Sequence, residues 1–293
     1  MTLSLPRLKP DPVPGINPVP EYQADARPAA IYLDTKTVLP VPWMGVVTMA
    51  FAQYPQFWKS RWAGIRPLAQ SAEFAAAARR LRRVAESGAA EMSLAELGPE
   101  IEALGYGSRE IAGIRAVIET FSSGNMPYLL IATTARYLLE GGELSGPPTA
   151  TAQQPSVPAG QSMVLTLMEP HHADPSTERV FSDIRQTMGL PFVNTDYRAL
   201  ARWPSYFRRA WADLKPHVGS VDHLATVEMM HNEAMDAVAN LPNPGQLTCA
   251  GLRRAAERDE AYEEIINVVR LFQWLLPELV VNVACLRAQL REY

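Results

Sequence analysis

The chain has two cysteines in 293 residues, Cys249 and Cys285. That is too few for a secreted disulfide scaffold, and their separation suits no zinc ligand set. Long unbroken apolar runs are missing too. The longest, from Val268 to Cys285, is interrupted by Arg270, Pro277 and Glu278, whereas a membrane-spanning helix wants about 20 nearly continuous apolar residues. Met1 to Arg7 lacks the basic-then-apolar order of a secretory signal. No block of Lys or Arg stands out, and 27 basic side chains face 31 acidic ones for a formal charge of -4. This argues against nucleic acid as a partner. Runs of alternating β-branched residues are also absent. These gaps lead to the expectation of a soluble, cytoplasmic, all-α protein with reduced thiols and no membrane or nucleic-acid partner.

What is present fits that class. Apolar residues make up 47% of the chain and charged residues 20%, ample for a core. The 25 prolines cluster in two places. Residues 1–27 read as an extended, poorly packed arm, and residues 141–162 have the Pro/Gly/Ser/Thr/Gln composition of a linker. The stretches Phe74 to Ala85, Glu110 to Phe121, Tyr128 to Leu139 and Ala256 to Leu275 have helical spacing of apolar residues.

The linker falls near the midpoint, and the two flanking segments resemble one another. With a constant offset of 149 residues, Pro42 to Pro67 aligns without a gap to Pro191 to Pro216. Ala50/Ala199, Pro55/Pro204 and Trp62/Trp211 are among the identities, Arg66/Lys215 among the conservative pairs, and Asp34/Asp183 extends the match upstream. The expectation is two similar helical repeats, 28–140 and 163–293, about a pseudo-two-fold axis, with a functional site between the repeats.

One active site needs a single copy of each chemical group, so departures from the internal symmetry are informative. Val47 corresponds to Asp196. If position 47 is buried, Asp196 places a carboxylate in an apolar setting, where desolvation favours a general base. Asn194-Thr195-Asp196 also reads as an ordinary helix start, with the acid complementing the dipole. Asn125 is the second asymmetry, in the polar stretch Phe121-Ser-Ser-Gly-Asn-Met-Pro-Tyr. That stretch is expected to break the helix, with Asn125 facing a cavity or taking a left-handed turn conformation. Glu228 and His231 have the spacing of a helical metal-ligand pair, but the second pair such a site needs is missing. Gly105-Tyr-Gly107 reads as a turn, since no strand precedes it.

Three segments carry a more specific likeness: Leu39-Pro-Val-Pro-Trp-Met-Gly-Val-Val, Phe121-Ser-Ser-Gly-Asn-Met-Pro-Tyr-Leu-Leu-Ile and Thr195-Asp-Tyr-Arg-Ala-Leu-Ala-Arg-Trp-Pro. In this order they resemble the group I 2-haloacid dehalogenases, helical metal-free enzymes, from about residue 27 onward. The resemblance implies hydrolysis of short 2-haloalkanoic acids to 2-hydroxy acids and halide, with inversion at Cα, no cofactor and a homodimer. It also implies that Asp196 activates the attacking water and Asn125 helps hold it. Trp43 and Thr195 would line the pocket, with Val46 and Phe272 where some members have Phe and Tyr. The smaller Val46 widens one side and favours acceptance of both enantiomers. Thr195, helix-terminal amides and Arg198 stay open as holders of the substrate carboxylate. The rival reading is a non-catalytic helical binder of small carboxylates.

Overall fold

The computed structural model describes residues 3–39, 41–152 and 165–291; Pro40 and residues 153–162 of the expected linker lie outside them. Among the described residues there are twelve α-helices and no strand, apart from an isolated bridge between Ser71 and Ala152. The first six are α1 (Ala26–Val38), α2 (Val46–Phe51), α3 (Pro55–Ala69), α4 (Ala72–Ala90), α5 (Gly98–Ala103) and α6 (Ser108–Leu139). The rest are α7 (Pro175–Met188), α8 (Thr195–Leu200), α9 (Pro204–Leu214), α10 (Val221–Ala239), α11 (Cys249–Arg258) and α12 (Tyr262–Ala288). The all-α class is thus observed.

Local chemistry accounts for the helix ends. At α7, Asp174 accepts from the backbone N–H of Ser176 (2.8 Å) and Thr177 (3.2 Å), Pro175 takes the first helical position, and Gly189 ends the helix at φ 60°. The start of α3 is capped from far along the chain, where Asp259 accepts from the backbone N–H of Gln56 (3.0 Å) and Phe57 (2.7 Å). Helices α1, α2, α3 and α4 begin 149 residues before α7, α8, α9 and α10 respectively. Trp62 donates to Asp34 (2.8 Å) beside Arg66, and Trp211 donates to Asp183 (2.7 Å) beside Lys215.

The chain forms two compact units. One comprises Met1–Leu81, Gly124–Met163 and Met229–Pro277; the other comprises Arg82–Ser123, Val164–Glu228 and Glu278–Tyr293. Each draws on both halves of the sequence, and α4, α6, α10 and α12 contribute to both. In the first unit, Phe51, Phe57, Trp58, Ile65 and Leu129 are core; in the second, Phe181, Tyr206, Phe207, Leu214 and Ile114 are. Most of α12 belongs to the interior: it is long and apolar enough to cross a membrane, yet 89% of its most apolar window is buried inside the protein.

Two expectations need correcting, and two segments make more contacts than their composition suggests. The stretch around Asn125 does not break a helix, because α6 runs unbroken through Pro127. The run from Ala256 to Leu275 is not one helix: it is split at Asp259–Ala261, where Glu260 takes φ 54°. The N-terminal arm is extended but anchored. His231 donates to the Leu5 carbonyl (2.7 Å), Arg136 to Pro6 (2.9 Å), and Arg7 to Trp274 (2.9 Å). The described part of the linker is pinned as well, with Ser145 N–H on the Ala239 carbonyl (2.8 Å) and Ala72 N–H on Thr151 (2.9 Å).

Candidate active site

In the first unit, the entry to α2 is fixed by one hydroxyl. Tyr128 of α6 donates to the Trp43 carbonyl and accepts from Gly45 N–H, both at 2.9 Å. The rings of Trp43 and Tyr128 lie 5.8 Å apart. Close approach needs glycines. A Cβ on Gly45 would lie 2.7 Å from the Tyr128 ring, and one on Gly124 would lie 2.3 Å from the Trp43 indole. Asn125 follows Gly124 and is buried in helical conformation, so the left-handed turn is ruled out. Pro127 removes the donor for the Ser123 carbonyl, and Ser123 bonds its own hydroxyl back to the Glu119 carbonyl at 2.7 Å. Val46 opens α2 half-buried, and Phe51 at its far end meets Phe272 of α12 with centroids 6.3 Å apart. Among the sequence-derived candidates, Trp43, Val46, Asn125 and Phe272 all belong to this unit, on or beside α2, α6 and α12.

In the second unit, α8 carries Thr195 and Asp196. Asn194 flanks the helix in extended conformation without capping through its side chain. Asp196 is 3% exposed, and so is Val47, its counterpart at the 149-residue offset. The neighbouring Tyr197 is held by a buried chain. Gly219 N–H donates to His223 Nδ1 (3.3 Å), His223 Nε2 donates to Asn282 (2.8 Å), and the Asn282 amide donates to the Tyr197 hydroxyl (3.0 Å). Since Nδ1 accepts, the imidazole is the neutral Nε2–H tautomer. Burial, with a further contribution from the Asp196 carboxylate, raises the Tyr197 phenol far above its ordinary pKa. Tyr197 also packs edge-on against Trp211 at 5.8 Å. The backbone carrying Asp196 is therefore fixed by a residue that the sequence did not single out.

The protein-family model described as "Halocarboxylic acid dehydrogenase DehI" matches residues 42–191, just over half of the chain. The chain belongs to the DehI family. The (R)-2-haloacid dehalogenase of Rhizobium sp. (strain NHG3) is 45% identical to it, over 84% of this chain and 95% of that protein. The (R)-2-haloacid dehalogenase of Pseudomonas putida is 35% identical, over 94% of this chain and 92% of its own. A configuration-inverting 2-haloacid dehalogenase from Pseudomonas sp. (strain 113) is 26% identical, over 78% and 76% of the two chains. A solved D-2-haloacid dehalogenase in complex with L-LA superposes with a TM-score of 0.88 at 35% identity, covering 98% of this chain and 99% of that one. A mutant D-2-haloacid dehalogenase with D-2-CPA gives a TM-score of 0.86 at 34% identity, covering 94% and 96%.

Two other candidates in this DehI-family chain are occupied by structural bonds. Arg198 donates to the Glu169 carboxylate (2.5 Å) and the Met168 carbonyl (3.0 Å), so its charge is matched near the surface. His231 uses both ring nitrogens, Nε2 toward Leu5 and Nδ1 toward the Gln273 amide (2.7 Å), and Gln273 in turn accepts from Arg136. Both nitrogens of His231 are thus engaged. Among the described residues, no group of three or more His, Cys, Asp or Glu could hold a metal ion. Gln273, Asn282 and His223 were not legible as partners, because their side-chain to side-chain bonds join residues 42 to 137 positions apart.

Proposed function

We propose that this chain hydrolyses short 2-haloalkanoic acids to 2-hydroxy acids and halide, inverting the configuration at Cα. The observation that carries the reading is the 45% identity to an (R)-2-haloacid dehalogenase over 84% of the chain. Displacement at Cα requires a nucleophile in line behind the carbon–halogen bond, a base for its proton, and a hold on the carboxylate. Asp196 is the base, Asn125 holds the water, and Trp43, Val46, Thr195 and Phe272 line the pocket. A buried carboxylate at position 196 supports that role. Substituting Asp196→Asn is expected to lower chloride release from 2-chloropropionate by about 10²–10⁴-fold. Undiminished release would remove Asp196 from the mechanism, and no release from any 2-haloacid would leave a carboxylate binder.

The water attacks directly, with no ester formed on Asp196. An amide partner can orient a water while the carboxylate takes its proton. In a single turnover in ¹⁸O-water with enzyme in excess, direct attack labels the hydroxy acid and leaves the Asp196 peptide unlabelled. A labelled Asp196 peptide with unlabelled product defeats the direct route.

The (R) form is the preferred substrate, in line with the names of the (R)-2-haloacid dehalogenases at 45% and 35% identity. The (S) form is accepted more slowly, through the wall that Val46 leaves open. A rate ratio beyond about 10³, more than one methyl contact supplies, would refute acceptance of both forms in one pocket. The reaction uses no cofactor, so activity survives dialysis against EDTA. The protein works in the cytoplasm as a homodimer, which light scattering at micromolar concentration checks. The two sequence halves are repeats of one ancestral unit, as the common 149-residue offset and the paired Trp–Asp bonds suggest.

A further inference from the structure

Arg61 lies in the middle of α3, 1% exposed, with its guanidinium 4.7 Å above the Phe51 ring. Its Nε and Nη1 are buried with no hydrogen-bond partner. One turn earlier on the same helix, the Trp58 indole N–H is likewise buried without an acceptor. Three buried donors stand within four residues, and among the described residues no carboxylate is paired with the cation. A buried charge is tolerated when something of opposite sign covers it. Neutralisation by proton loss is a poor escape for arginine. Burial pushes the group down to about 9, still well above neutrality, and guanidinium keeps its proton in proteins. The aromatic face of Phe51 offsets part of the charge but accepts none of the N–H groups. Position 61 also breaks the internal symmetry, since its counterpart at the 149-residue offset is Ala210.

We propose that Arg61, with the Trp58 indole N–H beside it, forms a binding site for one small monovalent anion, either a carboxylate or a halide. Phe51, under the guanidinium, is also the residue that meets Phe272, a candidate pocket residue. On the dehalogenase reading, on which this naming of the ligand rests, the anion is the substrate carboxylate or the departing halide. A guanidinium suits both: its fork matches a carboxylate, and two adjacent N–H groups hold a spherical ion.

The test is thermal denaturation of the full chain at constant ionic strength in a bulky sulfonate buffer, with sodium bromide or sodium propanoate titrated in. Wild-type protein is expected to gain stability with at least one of the two anions. Arg61→Met is expected to lose that gain while melting no lower than wild type in the anion-free buffer. Arg61→Lys, which keeps the charge but not the fork, is expected to bind about tenfold more weakly; it serves if the methionine variant fails to fold. A gain with bromide alone assigns the site to halide, and a gain with propanoate alone to carboxylate. No gain in wild type, or the same gain in both variants, overturns the proposal. Chloride release from 2-chloropropionate is measured on the same samples. Wild type that releases chloride without any anion effect sinks the Arg61 site and leaves the function; an Arg61-dependent effect without release does the reverse.

Discussion

Gly124→Ala probes the contact between α6 and Trp43. The added Cβ would sit 2.3 Å from Trp43 Cη2, 2.8 Å from Cζ3 and 3.1 Å from Val41 Cγ1. Carbon atoms rest at about 3.5–4.0 Å, so the indole must retreat by more than about 1 Å. It has little freedom to do so, being 7% exposed, packed on Tyr128 and tied by its carbonyl to the Tyr128 hydroxyl. Overpacking of this kind costs about 1–3 kcal/mol. Alanine in a helix interior returns about 1 kcal/mol over glycine. The net loss is roughly 0–2 kcal/mol, or a melting point lower by up to about 4 °C for a chain of this size. Activity is expected to fall further, by up to about 10²-fold, because a displacement of about 1 Å at a pocket wall disturbs alignment. The sharper check is a double-mutant cycle with Trp43→Phe, which deletes the outer ring that carries the clash. In that background Gly124→Ala is expected to stabilise, by up to about 1 kcal/mol, with no recovery of activity. An equal shift in melting point in both backgrounds would refute the steric argument.

Asp259→Ala uncaps the first turn of α3 and is expected to cost about 0.5–2 kcal/mol in urea denaturation; a midpoint unchanged from wild type would mean that the Gln56 and Phe57 amides find other acceptors. Asp183 is held below the ordinary carboxylate range first by its hydrogen bond from Lys215. Its contribution is present above about pH 4 and lost as pH falls through the folded value. Being a third exposed, it is worth about 0.2–1 kcal/mol, so Asp183→Asn is expected to lower the melting point at pH 6 and not at pH 2.

The helical class and the 149-residue offset were readable because both depend on residue type at short range. α8 begins at Thr195, as Asn194-Thr195-Asp196 implied. The errors have physical causes. Proline and a small polar run normally stop a helix, but α6 continues because Gly124 lets it pass Trp43 and Ser123 bonds to its own helix. The stop at Asp259–Ala261 was hidden among strong helix formers, and what holds Asp259 there is its role as the cap of α3. The arm looked loose because its bonds are made by backbone carbonyls, which no sequence displays. Arg61 was passed over because an arginine on an amphipathic helix reads as surface; burial and the missing acceptor are properties of the packed state.

The anchoring of the arm also fixes an order of events during synthesis. The carbonyl of Leu5 is received by His231, 226 residues later, and that of Pro6 by Arg136, 130 residues later. Arg7 waits longest, for the Trp274 carbonyl 267 residues later, so at roughly 5–20 residues per second the arm is made about 13–53 s before its last partner. Helical proteins commonly fold fast because their contacts are local, but here the arm is made long before the residues that secure it. The prolines in that segment suit such a wait. They cannot be drawn into a neighbouring helix or paired into a strand, so the arm stays extended until its partner helices are in place.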